Sequence, residues 1–222
     1  MNNLPIAIGA IALTVLALDM PHDGRPGFEL KEEQMTIEFT SGKDEAVVVF
    51  QAESEVRLRQ LAVRNPDGDS ALSLDGGGGQ GVSISGFVVE SNELPLRELR
   101  EIYPEGRYDM RARAKTGQKG RGSALLAHDL LPAPAMIYPR EGDLLVPTNL
   151  IVGWIPAPQA ISYTIVLEQR ENDGLTVKLP PDQASFEVPL GVLSRGMRTH
   201  VEVGAVHANG NTTFIETSFT TR

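Results

Sequence analysis

Apolar and polar positions alternate along much of this chain, the period expected of strands that bury one face. Met35-Thr36-Ile37-Glu38-Phe39 is apolar at every second position and predicts a half-buried strand. Residues 46–50 are continuously apolar and mostly β-branched, which predicts a more deeply buried strand. Residues 58–63 predict another, running into the turn signal Asn65-Pro66-Asp67-Gly68. Residues 82–89 predict the next strand, after which Leu96, Leu99 and Ile102 recur at a spacing that predicts one or two helical turns. Residues 107–114 and 123–128 predict a hairpin about a turn at 115–120. Later runs at 176–178, 185–188, 199–206 and 213–220 predict four more strands. Asn209-Gly210 joins the last two and is the strongest two-residue hairpin signal.

The pattern is sharpest at Leu150-Ile151-Val152-Gly153-Trp154 and Ile161-Ser162-Tyr163-Thr164-Ile165-Val166-Leu167. Leu150, Val152 and Trp154 share one strand face, as do Tyr163, Ile165 and Leu167, so both sets are expected to face a core. Leu131-Pro132-Ala133-Pro134-Ala135 separates this half from the first. Its prolines cannot donate to a central ladder and they stiffen a junction. The 22 glycines and 15 prolines suit many short strands joined by turns. Hydrophobic content of 41% with only 5% aromatics predicts cores that are mostly aliphatic.

Residues carrying a family resemblance can be named. Trp154 ends an alternating strand, Pro156 follows two residues on, and Ile161-Ser162-Tyr163-Thr164-Ile165 forms the next strand. This arrangement resembles a fibronectin type III module over about ninety residues. The family's later Leu-x-Pro-x-x-x-Tyr corner is degraded here, with Leu193 kept but Arg195 and Thr199 in place of Pro and Tyr. The first half supplies that corner as Ile102-Tyr103-Pro104-Glu105-Gly106-Arg107-Tyr108, and its Leu94-Pro95-Leu96 echoes Val188-Pro189-Leu190. It has no counterpart of Trp154. The fold class expected is all-β: two tandem immunoglobulin-like (fibronectin type III-like) β-sandwiches after an N-terminal signal or anchor segment. The boundaries expected are 1–18 for the signal peptide or anchor, 19–28 for a linker, 29–131 for the first sandwich and 132–222 for the second.

The run from Leu4 to Leu18 contains no charged side chain. It is slightly short for a membrane span and has the length of a signal-peptide hydrophobic region, with cleavage expected after Ala17. Met1-Asn2-Asn3 lacks the usual Lys or Arg, which counts against a signal and keeps an uncleaved anchor as the alternative. Export to the periplasm, the cell surface or the medium is the expectation, with membrane attachment only through residues 1–18. The absence of cysteine excludes disulfides, thiolate metal sites and cysteine nucleophiles. A net charge of −9 argues against nucleic acid, whose phosphates need a concentrated cationic surface.

Candidate chemistry is sparse. The histidines are His22, His128, His200 and His207, and none lies in a metal-ligand or nucleophile motif. His200 and His207 are seven apart on one strand and point to opposite faces, so a shared metal is not expected. Asp67, Asp69 and Asp75 are the calcium candidates, because closely spaced carboxylates near Gly can supply converging oxygens. An ordinary β-turn is the stronger reading there. Asp75-Gly76-Gly77-Gly78-Gly79-Gln80-Gly81 leads into a strand rather than a helix, so it reads as a hairpin loop and not a phosphate cradle. Glu90, Glu93, Glu98, Glu101 and Glu105, interspersed with Arg97, Arg100 and Arg107, read as a solvated face with local ion pairs.

The one positive cluster is Arg107, Arg111, Arg113, Lys115, Lys119 and Arg121. Arg107, Arg111 and Arg113 fall on the strand face opposite Tyr108 and Met110, so with Lys115 they are the partner-binding candidates, for a protein or an acidic polysaccharide. No cofactor motif and no catalytic constellation is visible. The expectation is a non-catalytic exported binding, adhesion or spacer module of the cell envelope. The alternative is a carbohydrate-binding or calcium-assisted accessory module of an exported enzyme.

Overall fold

A computed structural model describes residues 26–76, 84–170 and 173–222 of the chain. The expected export segment, most of the linker after it, and Gly77 to Ser83 lie outside the described residues. No helix among those described is long and apolar enough to cross a membrane.

The first half builds β1 (Phe28–Glu29), β2 (Lys31–Thr40), β3 (Glu45–Arg64), β4 (Ser70–Asp75), β5 (Ile84–Glu90), the helix α1 (Leu96–Ile102), β6 (Gly106–Ala114) and β7 (Lys119–Leu126). Sequence reading splits residues 46–63 into two strands, but the structure forms one strand of 20 residues. The polar positions 51, 53, 55 and 57 resemble a break, yet they alternate with Phe50, Ala52 and Ser54, which all face inward. The buried Ser54 hydroxyl donates to Val56 O at 2.8 Å, so its inward position leaves no unsatisfied group. The ladder shifts register between Glu53 and Leu58. Before the shift β3 lies between β2 and β5; after it, between β4 and β6, with β7 and the parallel β1 beyond. One strand thus serves both layers of this sandwich.

Of the three apolar residues that predict α1, Leu99 is fully buried while Ile102 is half exposed. Leu96, in the first turn, is half-buried and packs against the same core, so the seven-residue helix is anchored by Leu96 and Leu99. Tyr108 ends the corner as expected: its hydroxyl donates to Pro104 O at 3.1 Å.

The second half builds β8 (Ala135–Tyr138), β9 (Leu144–Leu145), β10 (Ile151–Ile155), β11 (Ser162–Arg170), β12 (Asp173–Leu179), β13 (Ser185–Glu187), β14 (Arg198–Val206) and β15 (Thr212–Thr221). One layer orders its strands β13-β10-β8 and the other β12-β11-β14-β15. That three-on-four arrangement is a fibronectin type III-like sandwich. Trp154 is 1% exposed and its ring centroid lies 5.3 Å from that of Tyr163. Where the corner is degraded, Gln169 replaces it: its Nε2 donates to Ser194 O (3.0 Å) and Thr199 Oγ1 (2.9 Å), and its Oε1 accepts from Ser194 N.

Buried side chains form two clusters, one spanning Leu30 to Leu126 and the other Leu131 to Phe219. The clusters are separate, but the sheets are not. β15 pairs in parallel with β2 over Thr212/Glu38, Thr213/Phe39 and Phe214/Thr40. The β14–β15 turn reaches over the first sandwich, where the Asn211 side chain is 1% exposed. Its Oδ1 accepts from Ile37 N at 2.8 Å, and its Nδ2 lies 2.8 Å from both Ala127 O and Asp129 O. This seam explains why β2 departs from simple alternation. Met35, Thr36 and Ile37 are consecutively buried because the second sandwich covers the strand's polar face.

Candidate functional site

The basic candidates sit on the β6–β7 hairpin. Tyr108, Met110, Ala112 and Ala114 fill the core, which turns Arg107, Arg111 and Arg113 to solvent. Hairpin register then sets Arg111 directly opposite Arg121, and Arg113 directly opposite Lys119. Like charges facing each other across an antiparallel pair are destabilising. None of these four makes an ion pair among the described residues, whereas Arg107 is held by Asp109 at 3.3 Å. Arg64, on the neighbouring β3 opposite Asp109, extends the exposed face. Beside it an open groove of 530 Å³ is lined by Glu29, Glu33, Arg107, Arg121, Gly122 and Ser123, so acids and bases share it. Lys115 lies at the first position of the turn, exposed, its N–H donating to Arg57 O.

The calcium candidates do not come together. Asp67 and Asp69 belong to a tight turn closed by Gly68 N to Asn65 O (3.0 Å) and Asp69 N to Asn65 Oδ1 (2.8 Å), with Gly68 at φ +92. Asp75 is at the far end of β4, where it accepts from Gln60 Nε2 at 2.9 Å. Around α1, Arg97 and Glu101 form an exposed pair at 4.0 Å, Arg100 donates to His128 O, and Glu105 accepts from His128 N.

Sequence reading missed a third grouping. His200 Nε2 lies 3.1 Å from Glu202 Oε1 and 3.2 Å from Glu216 Oε2. His200 and Glu202 are two apart on β14, on its solvent face, and Glu216 stands directly across from Glu202 on β15. His207 lies just past the end of β14, not on the strand as expected, and is not among the grouped residues. Lys43, from the β2–β3 turn, reaches across the seam to Glu216 Oε1 at 2.9 Å. The hydrogen bond to Glu202, with the nearby Glu216 charge, holds the imidazole above its ordinary pKa against the opposing cost of burial. Nearby on β2, burial first and then the charges of Glu90 and Glu202 push the Glu38 carboxyl up, with Lys178 opposing them. The signal was present in the sequence: Val206 faces Thr212 across the Asn209-Gly210 turn, so stepping four residues outward pairs Glu202 with Glu216.

With this geometry in place, the chain can be set beside solved structures. It is similar to the FN3 domain (residues P368–P466) of human collagen XX, at 21% identity and a TM-score of 0.34, over 40% of this chain and 91% of that one. It is similar to a two fibronectin type III domain segment from chicken tenascin, at 12% identity and 0.31, over 85% and 94%. A biofilm-associated protein BSP domain matches at 16% identity and 0.29, over 86% of this chain but 29% of that one. The strand order of the two layers carries the fold assignment, not these likenesses. No family model matches the chain, and no curated protein matches it.

Proposed function

We propose that the chain is a non-catalytic exported binding module that docks an acidic polysaccharide on the outer face of its β6–β7 hairpin. The observation that carries this reading is the pair of like-charge cross-strand contacts, Arg111 with Arg121 and Arg113 with Lys119, in a chain whose net charge is −9; only Arg121 has an acidic strand neighbour, Glu29 on β1. A surface that only needed solubility would not oppose like charges directly, since this costs stability. Strand geometry spaces the cations about 6.7 Å along each strand and about 4.8 Å between strands. Such a lattice suits a linear polymer with closely repeating carboxylates or sulfates. Exposed side chains on a rigid sheet also lose less freedom on binding than a mobile loop would.

Retention on immobilised heparin and alginate, measured over a salt gradient, tests it. The chain should be retained at low salt and released as salt screens the contacts. Arg111→Gln combined with Arg113→Gln should abolish retention and at the same time raise folding stability by about 0.2–1 kcal/mol, because the like-charge contacts are gone. Unchanged retention in that variant removes the hairpin face from the function.

A further inference from the structure

We propose that His200, Glu202 and Glu216 form a binding site for one divalent transition-metal ion of the zinc class. The three donor atoms all lie within 4.8 Å of one another. A tetrahedral ion about 2.0–2.2 Å from each nitrogen or oxygen ligand places neighbouring donors about 3.3 Å apart. The observed Nε2–Oε1 and Nε2–Oε2 separations are 3.1 and 3.2 Å, so the imidazole stands at such an edge distance from each carboxylate, and the two carboxylate oxygens lie within 4.8 Å of each other.

An imidazole nitrogen at the centre of the group distinguishes it from an acidic patch. One imidazole with two carboxylates suits zinc and its first-row neighbours, whereas calcium and magnesium take oxygen donors. The atoms facing away from the centre are held as ligands in metal sites are held. His200 Nδ1 is 3.4 Å from Ser218 Oγ, which leaves Nε2 for the ion, and Lys43 Nζ holds Glu216 Oε1 so that Oε2 turns inward. The framework is stiff: β14 and β15 are paired along nine residues, and β11 and β2 flank them. Side-chain exposures of 30, 24 and 17% leave the site sheltered yet reachable. Charge points the same way. With the histidine neutral, Glu202, Glu216, Glu38 and Glu90 are answered locally by Lys43 and Lys178, and a dication removes the excess.

A proton on His200 is the competing occupant. Metal binding therefore displaces it, and three protein donors leave the rest of the shell to water.

Calorimetric titration of the full chain, stripped with chelator and held at pH 8, with Zn2+ alone, Co2+ alone and Ca2+ alone, tests the site. Zn2+ and Co2+ should bind at one equivalent, Co2+ with the visible absorption of a low-coordinate ion, and Ca2+ should not compete. His200→Ala should weaken Zn2+ binding by more than about tenfold. Glu202→Gln, which keeps the side-chain shape and removes a negative charge, should do the same and serves as the second variant should His200→Ala fail to fold. No stoichiometric Zn2+ binding to the native chain, or affinity unchanged in Glu202→Gln, overturns the proposal.

Discussion

Single side chains in this molecule differ in how much they hold, and two tyrosines show why. Tyr108 and Tyr163 are both fully buried, and each hydroxyl donates to a backbone carbonyl, at 3.1 Å for Pro104 O and 3.3 Å for Ala157 O. Burial pushes the Tyr108 phenol far above its ordinary pKa, so it stays neutral and acts only as a donor. Removing it leaves Pro104 O short of a partner, and Tyr108→Phe should cost about 1–1.5 kcal/mol in urea unfolding. Tyr163→Phe breaks the longer bond and should cost less; equal losses would argue that the corner has no special role. Glu38 works in the opposite direction. Its raised pKa means the folded chain binds that proton more tightly than the unfolded chain does. The ionised group therefore costs stability above the folded pKa, and the cost disappears as pH falls through it and on below the unfolded value. In the presence of chelator, Glu38→Gln should melt higher than the native chain at pH 7, with a gain that vanishes toward acid. A gain that does not vary with pH would mean that packing, not charge, is responsible.

At the scale of elements, alternation was legible wherever one face met a core and the other met water. β6 and β11 follow it residue by residue, β14 does so up to Val203, and Trp154 and Tyr163 pack where their period puts them. Sequence reading failed where an element's surroundings come from far along the chain. β3 looked broken because its bend is set by two different neighbours, and β2 looked half-exposed because its cover lies some 170 residues away in Asn211. The His200 grouping was hidden for a different reason. Pairing histidine with histidine along one strand overlooked the partner that the hairpin brings across. The basic face was legible, but the opposition of Arg111 to Arg121 needed the register. The β14–β15 turn offers a direct measurement of the seam's closeness. Gly210 has φ +90, and a Cβ there would lie 2.6 Å from Gln34 Nε2 and 2.8 Å from Thr36 Cγ2. Gly68 has nearly the same φ, +92, with nothing within 4 Å. Gly68→Ala should cost about 1–2 kcal/mol from backbone strain alone. Gly210→Ala should cost more, because Thr36 must also shift. Equal costs in thermal denaturation would mean that the turn sits loosely on the first sandwich.

For the whole molecule, the consequence of the seam is that two hydrophobic clusters are tied by one continuous run of hydrogen-bonded strands. Tandem sandwiches joined only by a proline-containing connection would be free to move independently. Here Ser41 N donates to Phe214 O at 3.1 Å, Asn209 Nδ2 donates to Asp129 O at 3.0 Å, and Lys43 pairs with Glu216, all crossing from one sandwich to the other or to the segment between them. Asn211 is central to this set, because its one side chain answers Ile37 N–H, Ala127 O and Asp129 O. Asn211→Ala leaves the buried Ile37 N–H without its acceptor and opens space at the junction. It should cost about 2–4 kcal/mol, given the penalty for stranded buried polar groups. The loss falls on the coupling, since the bonds of Asn211 on β14–β15 run to Ile37 of the first sandwich and to Ala127 and Asp129 in the segment between the two. Calorimetry should show a single transition for the native chain and two, or one visibly broadened, for the variant. Small-angle scattering should report a larger radius of gyration as the halves separate. A variant that unfolds in one sharp transition with unchanged scattering would show that the parallel β2–β15 pairing alone is enough to hold the sandwiches together.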